Sequence, residues 1–306
     1  MKKVLILGGN GMLGATLVRW FSGRPAGPCA VSATSRSGLA PAQLGMAGSA
    51  IQWLALDADL TSVQALAALC ADYDLVINAI GRIKQRIHTE SLADRGATLR
   101  ANALFAIMLA EAAKAVNCKV IQIATDCVFS GDRGGYIETD RHDARDLYGL
   151  SKSLGEVKSA NVINIRCSIV GLELASSYSL LNWFLSQAPG ATVQGYTNHY
   201  WNGVTALHFA KVCDGLLDSG WEGVLDSHLL PADTLTKYEL LRIFAQAFGR
   251  SDVKIVPTEA PQRIDRTLAT VNPELNAGLW KNAGYSCPPS IQDMVVEIAS
   301  YAASWK

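Results

Sequence analysis

The sequence is short of charge. Asp, Glu, Lys and Arg make up 18% of its 306 residues, against roughly 25% in an average globular protein. The 27 basic and 27 acidic side chains cancel. A general nucleic-acid binder carries a basic excess, so this balance excludes that class. The 49% hydrophobic content excludes a disordered chain. Long apolar runs are also missing: no stretch nears the roughly 18 residues of a membrane span. Val4–Leu7, after Met1-Lys2-Lys3, breaks at Gly8-Gly9, too early for the apolar core of a signal peptide. The seven cysteines form no CxxC and no zinc-ligand spacing, and the five histidines form neither HxxxH nor HExxH, so no metal site is expected. Scattered cysteines in odd number read as reduced thiols, and the expected location is the cytoplasm. No repeat or low-complexity run is present.

What is present is alternation. Val4–Leu7, Val31–Thr34, Ile51–Leu56, Leu75–Asn78, Val120–Ala124 and Val162–Arg166 read as strands. Met12–Phe21, Ser62–Leu69, Ser91–Val116 and Ala144–Val157 read as helices between them. Continuous β-branched runs alternating with helices predict an α/β fold: a Rossmann-like, doubly wound parallel sheet covered on both faces. After Gly171 the pattern changes. Helices are expected over Tyr178–Leu185, Ala206–Leu217, Lys237–Phe248 (capped by Thr234 or Thr236) and Ile291–Ala303, with a strand at Gly223–Asp226 returning to the main sheet. The tail carries prolines at 257, 261, 273, 288 and 289. This divides the chain into residues 1–170 plus about 203–229, a nucleotide-binding domain, and 171–202 plus 230–306, a small discontinuous substrate lobe.

Gly8-Gly9-Asn10-Gly11-Met12-Leu13-Gly14 lies between the first strand and the first helix. Glycines at 8, 11 and 14 let backbone N–H groups at a helix N-terminus approach a diphosphate, and the helix dipole adds attraction. A tight turn without ligand is the plain alternative. NAD-preferring sites place an acid after the second strand to hold the ribose 2′-hydroxyl. Here that strand ends Ala33-Thr34-Ser35-Arg36-Ser37. Arg36 suits a 2′-phosphate, which favours NADPH, with NADH as the alternative. Arg36 could equally be a solvated surface residue.

Tyr148-Gly149-Leu150-Ser151-Lys152 gives YxxxK, which places phenol and ammonium on one helix face. A nearby positive charge lowers a tyrosine pKa. Thr125 ends a strand one βαβ unit earlier, and reactive groups gather at the carboxyl ends of strands in doubly wound sheets.

With these pieces in order, the sequence resembles the extended short-chain dehydrogenase/reductases, and among them the dTDP-4-dehydrorhamnose reductase family of sugar-nucleotide reductases. The resemblance rests on Gly8–Gly14, Asp59-Leu60, Asn78-Ala79-Ile80-Gly81, Asn102, Thr125-Asp126-Cys127-Val128-Phe129-Ser130-Gly131, Tyr148–Lys152 and Arg166-Cys167-Ser168. Asn202-Gly203-Val204-Thr205 and Asp265-Arg266-Thr267-Leu268 match more loosely. It implies that Thr125 holds the substrate carbonyl, that Tyr148 is the general acid, and that Lys152 lowers the tyrosine pKa and holds the nicotinamide ribose. It implies cofactor contacts from Gly8, Asn10, Gly11, Met12, Leu13, Gly14, Ser35, Arg36, Asp59, Leu60, Asn78, Ala79, Ile80 and Asn102. Asp126, Cys127, Trp201 and Arg266 are the expected substrate contacts. Asp59 could instead cap the helix after it, and Asn102 could be a buried, satisfied amide.

In the related 4,6-dehydratases a Thr-Asp-Glu stretch supplies the acid/base pair. Here Cys127 replaces the glutamate, so dehydration lacks its base. Cys127 reads as a small hydrophobe rather than a nucleophile. The basic loop Arg82–His88 is either a phosphate contact or a solvated face. Tyr196, His199, Tyr200 and Trp201 either stack on a ligand or pack the lobe. The expectation is reduction of a 4-keto group on a nucleotide sugar, with a homodimer and no nucleic-acid or membrane partner. An epimerase, or a binding-only subunit like the regulatory subunit of methionine adenosyltransferase, remains as the alternative.

Overall fold

The computed structural model describes residues 1–45, 51–223 and 225–303. Its strands are β1 (Lys3–Leu7), β2 (Ala30–Ser35), β3 (Gln52–Ala55), β4 (Leu75–Asn78), β5 (Lys119–Thr125), β6 (Val162–Cys167), β7 (Ile169–Val170), β8 (Thr192–Tyr196), β9 (His199–Trp201), β10 (Val204–Thr205), β11 (Leu225–His228), β12 (Leu235–Thr236), β13 (Lys254–Thr258) and β14 (Ile264–Asp265). Its helices are α1 (Met12–Ser22), α2 (Val63–Cys70), α3 (Leu92–Leu99), α4 (Phe105–Ala115), α5 (Leu147–Leu154), α6 (Leu180–Leu185), α7 (Ala206–Ser219), α8 (Lys237–Ala247), α9 (Pro273–Asn282) and α10 (Ile291–Ala303).

Seven strands form one parallel sheet in the order β11-β6-β5-β4-β1-β2-β3. The doubly wound α/β prediction therefore holds. Its cause is visible in β1, where Val4 and Ile6 join α1 and α7 in one core while Leu5 and Leu7 join α2 and α4 in the other. Chain order reverses at β1, which lies between β2 and β4. A crevice opens there at the carboxyl ends, the usual ligand position in such sheets. The strand expected over Gly223–Asp226 lies at Leu225–His228 on the outer edge of β6, with its expected residue Val224 outside the described residues.

Three small sheets stand beyond the carboxyl ends. β9 lies between β12 and β14, β8 pairs with β13, and β7 pairs with β10. Two features go beyond the sequence reading. The helical stretch Ser91–Val116 is continuous over 92–115 but has a π turn at Arg100–Leu104 between α3 and α4. Such turns insert a residue and re-aim the side chains around it. The tail also holds a helix before Ile291: α9 has Pro273 in its first turn. Proline is tolerated there, where the missing N–H has no helical partner to lose. Both α9 and α10 pack through Leu279, Trp280, Ile291 and Met294 into the core shared with α1 and α7.

Candidate active site

Among the described residues seven helices have a Ser, Thr or Asp whose side chain caps the first turn: Ser62, Ser91, Asp146, Ser179, Thr205, Thr236 and Ser290. The N-terminus of α1 has Gly11 at the cap position, no capping side chain and no acid in the first turn. Its N–H groups remain open to an anion. Gly8 adopts φ +80° and sits against Ala79 and Ile80 after β4. A Cβ on Gly14 would stand 2.1 Å from the Gly8 carbonyl oxygen, so only glycine lets α1 rise this close to the turn. These residues fit a dinucleotide diphosphate, with Asn10, Gly11, Met12 and Leu13 forming the open end of the turn. Arg36 is exposed just beyond β2 and meets no carboxylate among the described residues.

On the other side of the crevice, β5 ends at Thr125, whose hydroxyl donates to the Asp126 carboxylate at 3.2 Å and accepts from the Cys127 N–H at 3.2 Å. Helix α5 is capped by Asp146, which accepts from the Gly149 N–H at 2.9 Å. It lies so close to this turn that a Cβ on Gly149 would reach within 2.2 Å of the Cys127 carbonyl. Tyr148 is thereby held against Thr125, Cys127 and Asp126. Burial pushes its phenol above the ordinary value, Cys127 and Asp126 add to this, and the Thr125 side chain acts against it. Lys152, one turn on, donates to the Ile123 carbonyl at 2.8 Å. Burial pulls its pKa down to about 8, opposed by Glu156. Behind it, Arg166 is ion-paired to Glu156 and hydrogen-bonded to His142 at 3.0 Å and His228 at 2.7 Å. Arg266 closes the far side, donating to the Phe129 carbonyl at 2.9 Å. It lines a cavity of about 200 Å³ with Cys127, Ser130, Arg145 and Gln262.

The arrangement of glycine turn, Thr125, Tyr148 and Lys152 around one crevice has relatives. Residues 1–171 match the family described as RmlD substrate binding domain. The chain belongs to that family.

Solved structures share the fold over nearly the whole length. A dTDP-4-dehydrorhamnose reductase from Clostridium acetobutylicum is 17% identical with a TM-score of 0.71, covering 98% of this chain and 99% of its own. One from Bacillus anthracis, in complex with NADP, is 17% identical with a TM-score of 0.68 over 98% and 99%. A UDP-glucuronic acid 4-epimerase variant from Bacillus cereus, in complex with a fluorinated UDP-glucuronic acid and NAD, is 16% identical with a TM-score of 0.72 over 99% and 100%. No curated protein matches the chain.

The other expected contacts are placed as follows. Asn78 is 1% exposed; its amide donates to Gln122 at 2.7 Å and accepts from the Ile80 N–H at 3.1 Å, which braces the turn after β4. Asn102, in the π turn, is a buried and satisfied amide. It accepts from the Arg82 N–H at 2.7 Å and donates to the Arg82 carbonyl and to Ser151, each at 3.0 Å, pinning that loop to α5. The Ser35 hydroxyl closes its own turn on Leu39. Asp59 pairs with Arg100 at 3.2 Å and does not cap α2, a task Ser62 performs. Leu60 is 84% exposed beside it. Burial is the largest influence on the Tyr148 phenol and pushes its pKa upward. Burial also pushes Cys127 up to about 12, in keeping with a cysteine that is no nucleophile. In the basic loop, Arg82 pairs with Asp94 and Lys84 with Asp146. Trp201 is 3% exposed and lies under the Lys237 ammonium, 5.4 Å from its ring centre.

One site residue was missed. Lys237 opens α8 beside Asp126, Cys127 and Arg266, and burial pulls its pKa down to about 8. The sequence held a signal: a cation in a first helical turn opposes the helix dipole.

Proposed function

We propose that the chain is an NADPH-dependent reductase of the 4-keto group of a nucleotide-activated deoxysugar. The observation that carries this reading is the placement of Tyr148 beside Thr125 at the carboxyl end of β5, one helical turn from Lys152, with the uncapped glycine turn of α1 in the same fold. When bound, NADPH would supply the hydride. Thr125 holds the substrate carbonyl oxygen, and Tyr148 delivers its proton to that oxygen. Lys152 keeps a positive charge behind the phenol at neutral pH and holds the ribose. Gly8, Gly11 and Gly14 seat the diphosphate, with Arg36 for the 2′-phosphate. Asp126, Cys127, Trp201 and Arg266 bound the sugar end. An epimerase cycles a tightly held NAD, and the lack of an acid after β2 to hold its ribose disfavours that alternative. A binding-only subunit has no use for the Thr125–Tyr148–Lys152 set.

The working division is a cofactor domain, 1–170 plus about 203–229, and a substrate lobe, 171–202 plus 230–306. The expected assembly is a homodimer, and exposed Leu99, Leu150 and Leu154 on the neighbouring helices α3 and α5 support it. The place of action is the cytoplasm, in keeping with seven unpaired cysteines. Among the described residues no helix is long and apolar enough to cross a membrane. The test mixes purified protein and NADPH with a panel of 4-keto nucleotide sugars and follows nicotinamide absorbance. NADPH oxidation with one panel member is expected. NADPH binding without oxidation on any member sinks the reading.

A further inference from the structure

Helix α8 begins with a paradox. Its N-terminus is fully capped: the Thr236 hydroxyl accepts from the Glu239 N–H at 3.2 Å, and the Glu239 carboxylate accepts from the Thr236 N–H at 2.7 Å. The first helical residue is nevertheless a lysine, at the end of the dipole where a cation is least stable. Thr236 and Leu235 pair with Tyr200 and Trp201, which fixes the start of α8 over the indole. The Lys237 ammonium rests 5.4 Å from the centre of the Trp201 ring. Among the described residues it makes no hydrogen bond and no ion pair, whereas Lys84, Lys152 and Lys211 each have an oxygen partner. Trp201 adds a second unsatisfied donor, since its covered indole N–H has no partner. The ammonium stands near Asp126, Cys127 and Arg266, three of the expected substrate contacts, with Asp126 and Cys127 favouring its charge and Arg266 opposing it. Burial already lowers the lysine pKa to about 8. Holding a desolvated ammonium against the helix dipole costs stability, and an anionic ligand oxygen offsets that cost.

We propose that Lys237, seated on Trp201, is a specificity-determining contact that binds an anionic oxygen at the sugar end of the substrate. The assignment rests on the functional reading above and deepens it. Two sources carry such an oxygen: the sugar-proximal phosphate and a carboxylate on the sugar ring. The experiment titrates NADP-saturated protein by calorimetry with a nucleoside diphosphate, a nucleotide hexose with an uncharged ring, and a nucleotide uronic acid. Wild type, Lys237→Met and Lys237→Arg are compared, with NADP affinity and melting temperature measured on each. Lys237→Met should weaken the anion-bearing ligand at least about tenfold while NADP affinity holds, and Lys237→Arg should restore most of it. Weakening of all three ligands assigns the phosphate; weakening confined to the uronic acid assigns the ring carboxylate. Equal affinities in wild type and Lys237→Met for all three overturn the proposal, including the case where only the melting temperature falls. Wild-type protein that binds NADP but none of the three ligands overturns the functional reading and this assignment together.

Discussion

Helices α1 and α8 both open toward the crevice, and they do so in opposite ways. The first turn of α1 has no cap, no acid and three spaced glycines, so its backbone N–H groups face outward. The first turn of α8 is closed by a reciprocal capping box, and its positive charge is a side chain. The first arrangement binds an anion with main chain, at a spacing fixed by steric contact. The second binds with one ammonium whose position depends on Trp201, a residue 36 positions earlier. The cofactor side of the site is thus built from neighbours in sequence and the substrate side from neighbours in space.

The comparison can be broken at several points. The largest effect belongs to the chemistry between the two helices: Tyr148→Phe should cut turnover by about 10²–10⁴-fold with NADPH affinity unchanged, read by single-turnover absorbance and a separate NADPH titration. Gly14→Ala should come next. Its Cβ meets the Gly8 carbonyl at 2.1 Å, so a loss of about 1–3 kcal/mol in unfolding free energy is expected, together with weakened NADPH binding; an intact NADPH affinity would show that the turn does not hold the diphosphate. Arg36→Ala should reduce the preference for NADPH over NADH by about tenfold, the scale of one hydrogen bond to a charged group, and leave NADH affinity alone. On α8 the contrast reverses: Thr236→Ala should cost about 1 kcal/mol of stability without touching NADPH affinity.

The smallest expected effects are those of pH. His142 is held neutral, its pKa down to about 4 through burial and the Arg166 guanidinium. A free imidazole titrates near 6.5, so the unfolded chain takes up more protons between those values. The stability His142 contributes is full above about 6.5 and is lost as pH falls toward 4. The melting temperature should fall across that window, and His142→Gln should flatten the fall. Lys152 loses its proton as pH rises through about 8, so turnover should decline on the alkaline side; a flat profile to pH 10 would remove Lys152 from the proton step.

Much of the fold was legible because its signals are local. Leu75–Asn78 was read to the residue, and β1, β5 and β6 to within one residue at each end, because doubly buried strands are unbroken apolar runs. The π turn was not legible. Arg100–Leu104 has helical composition, and only packing of α5 against it, with Gly155 under the Asn102 carbonyl, makes the extra residue useful. The partners of Asn78 and Asn102 were not legible for the same reason: a motif names the residue, but its hydrogen-bond partners stand 44 and 49 positions away. Lys237 was missed because its importance comes from Trp201, Asp126 and Arg266, none of them near it in the chain.

By itself the sequence determined the parallel α/β sheet, the glycine turn, and the phenol and ammonium on one helix face. Each depends on spacing within about ten residues, where backbone geometry turns order directly into position. Tertiary structure decided the burial of Tyr148, the tasks of the buried amides and the surroundings of the charge at the start of α8. These depend on desolvation and on partners brought together across the sheet, and neither is encoded in any single stretch of chain.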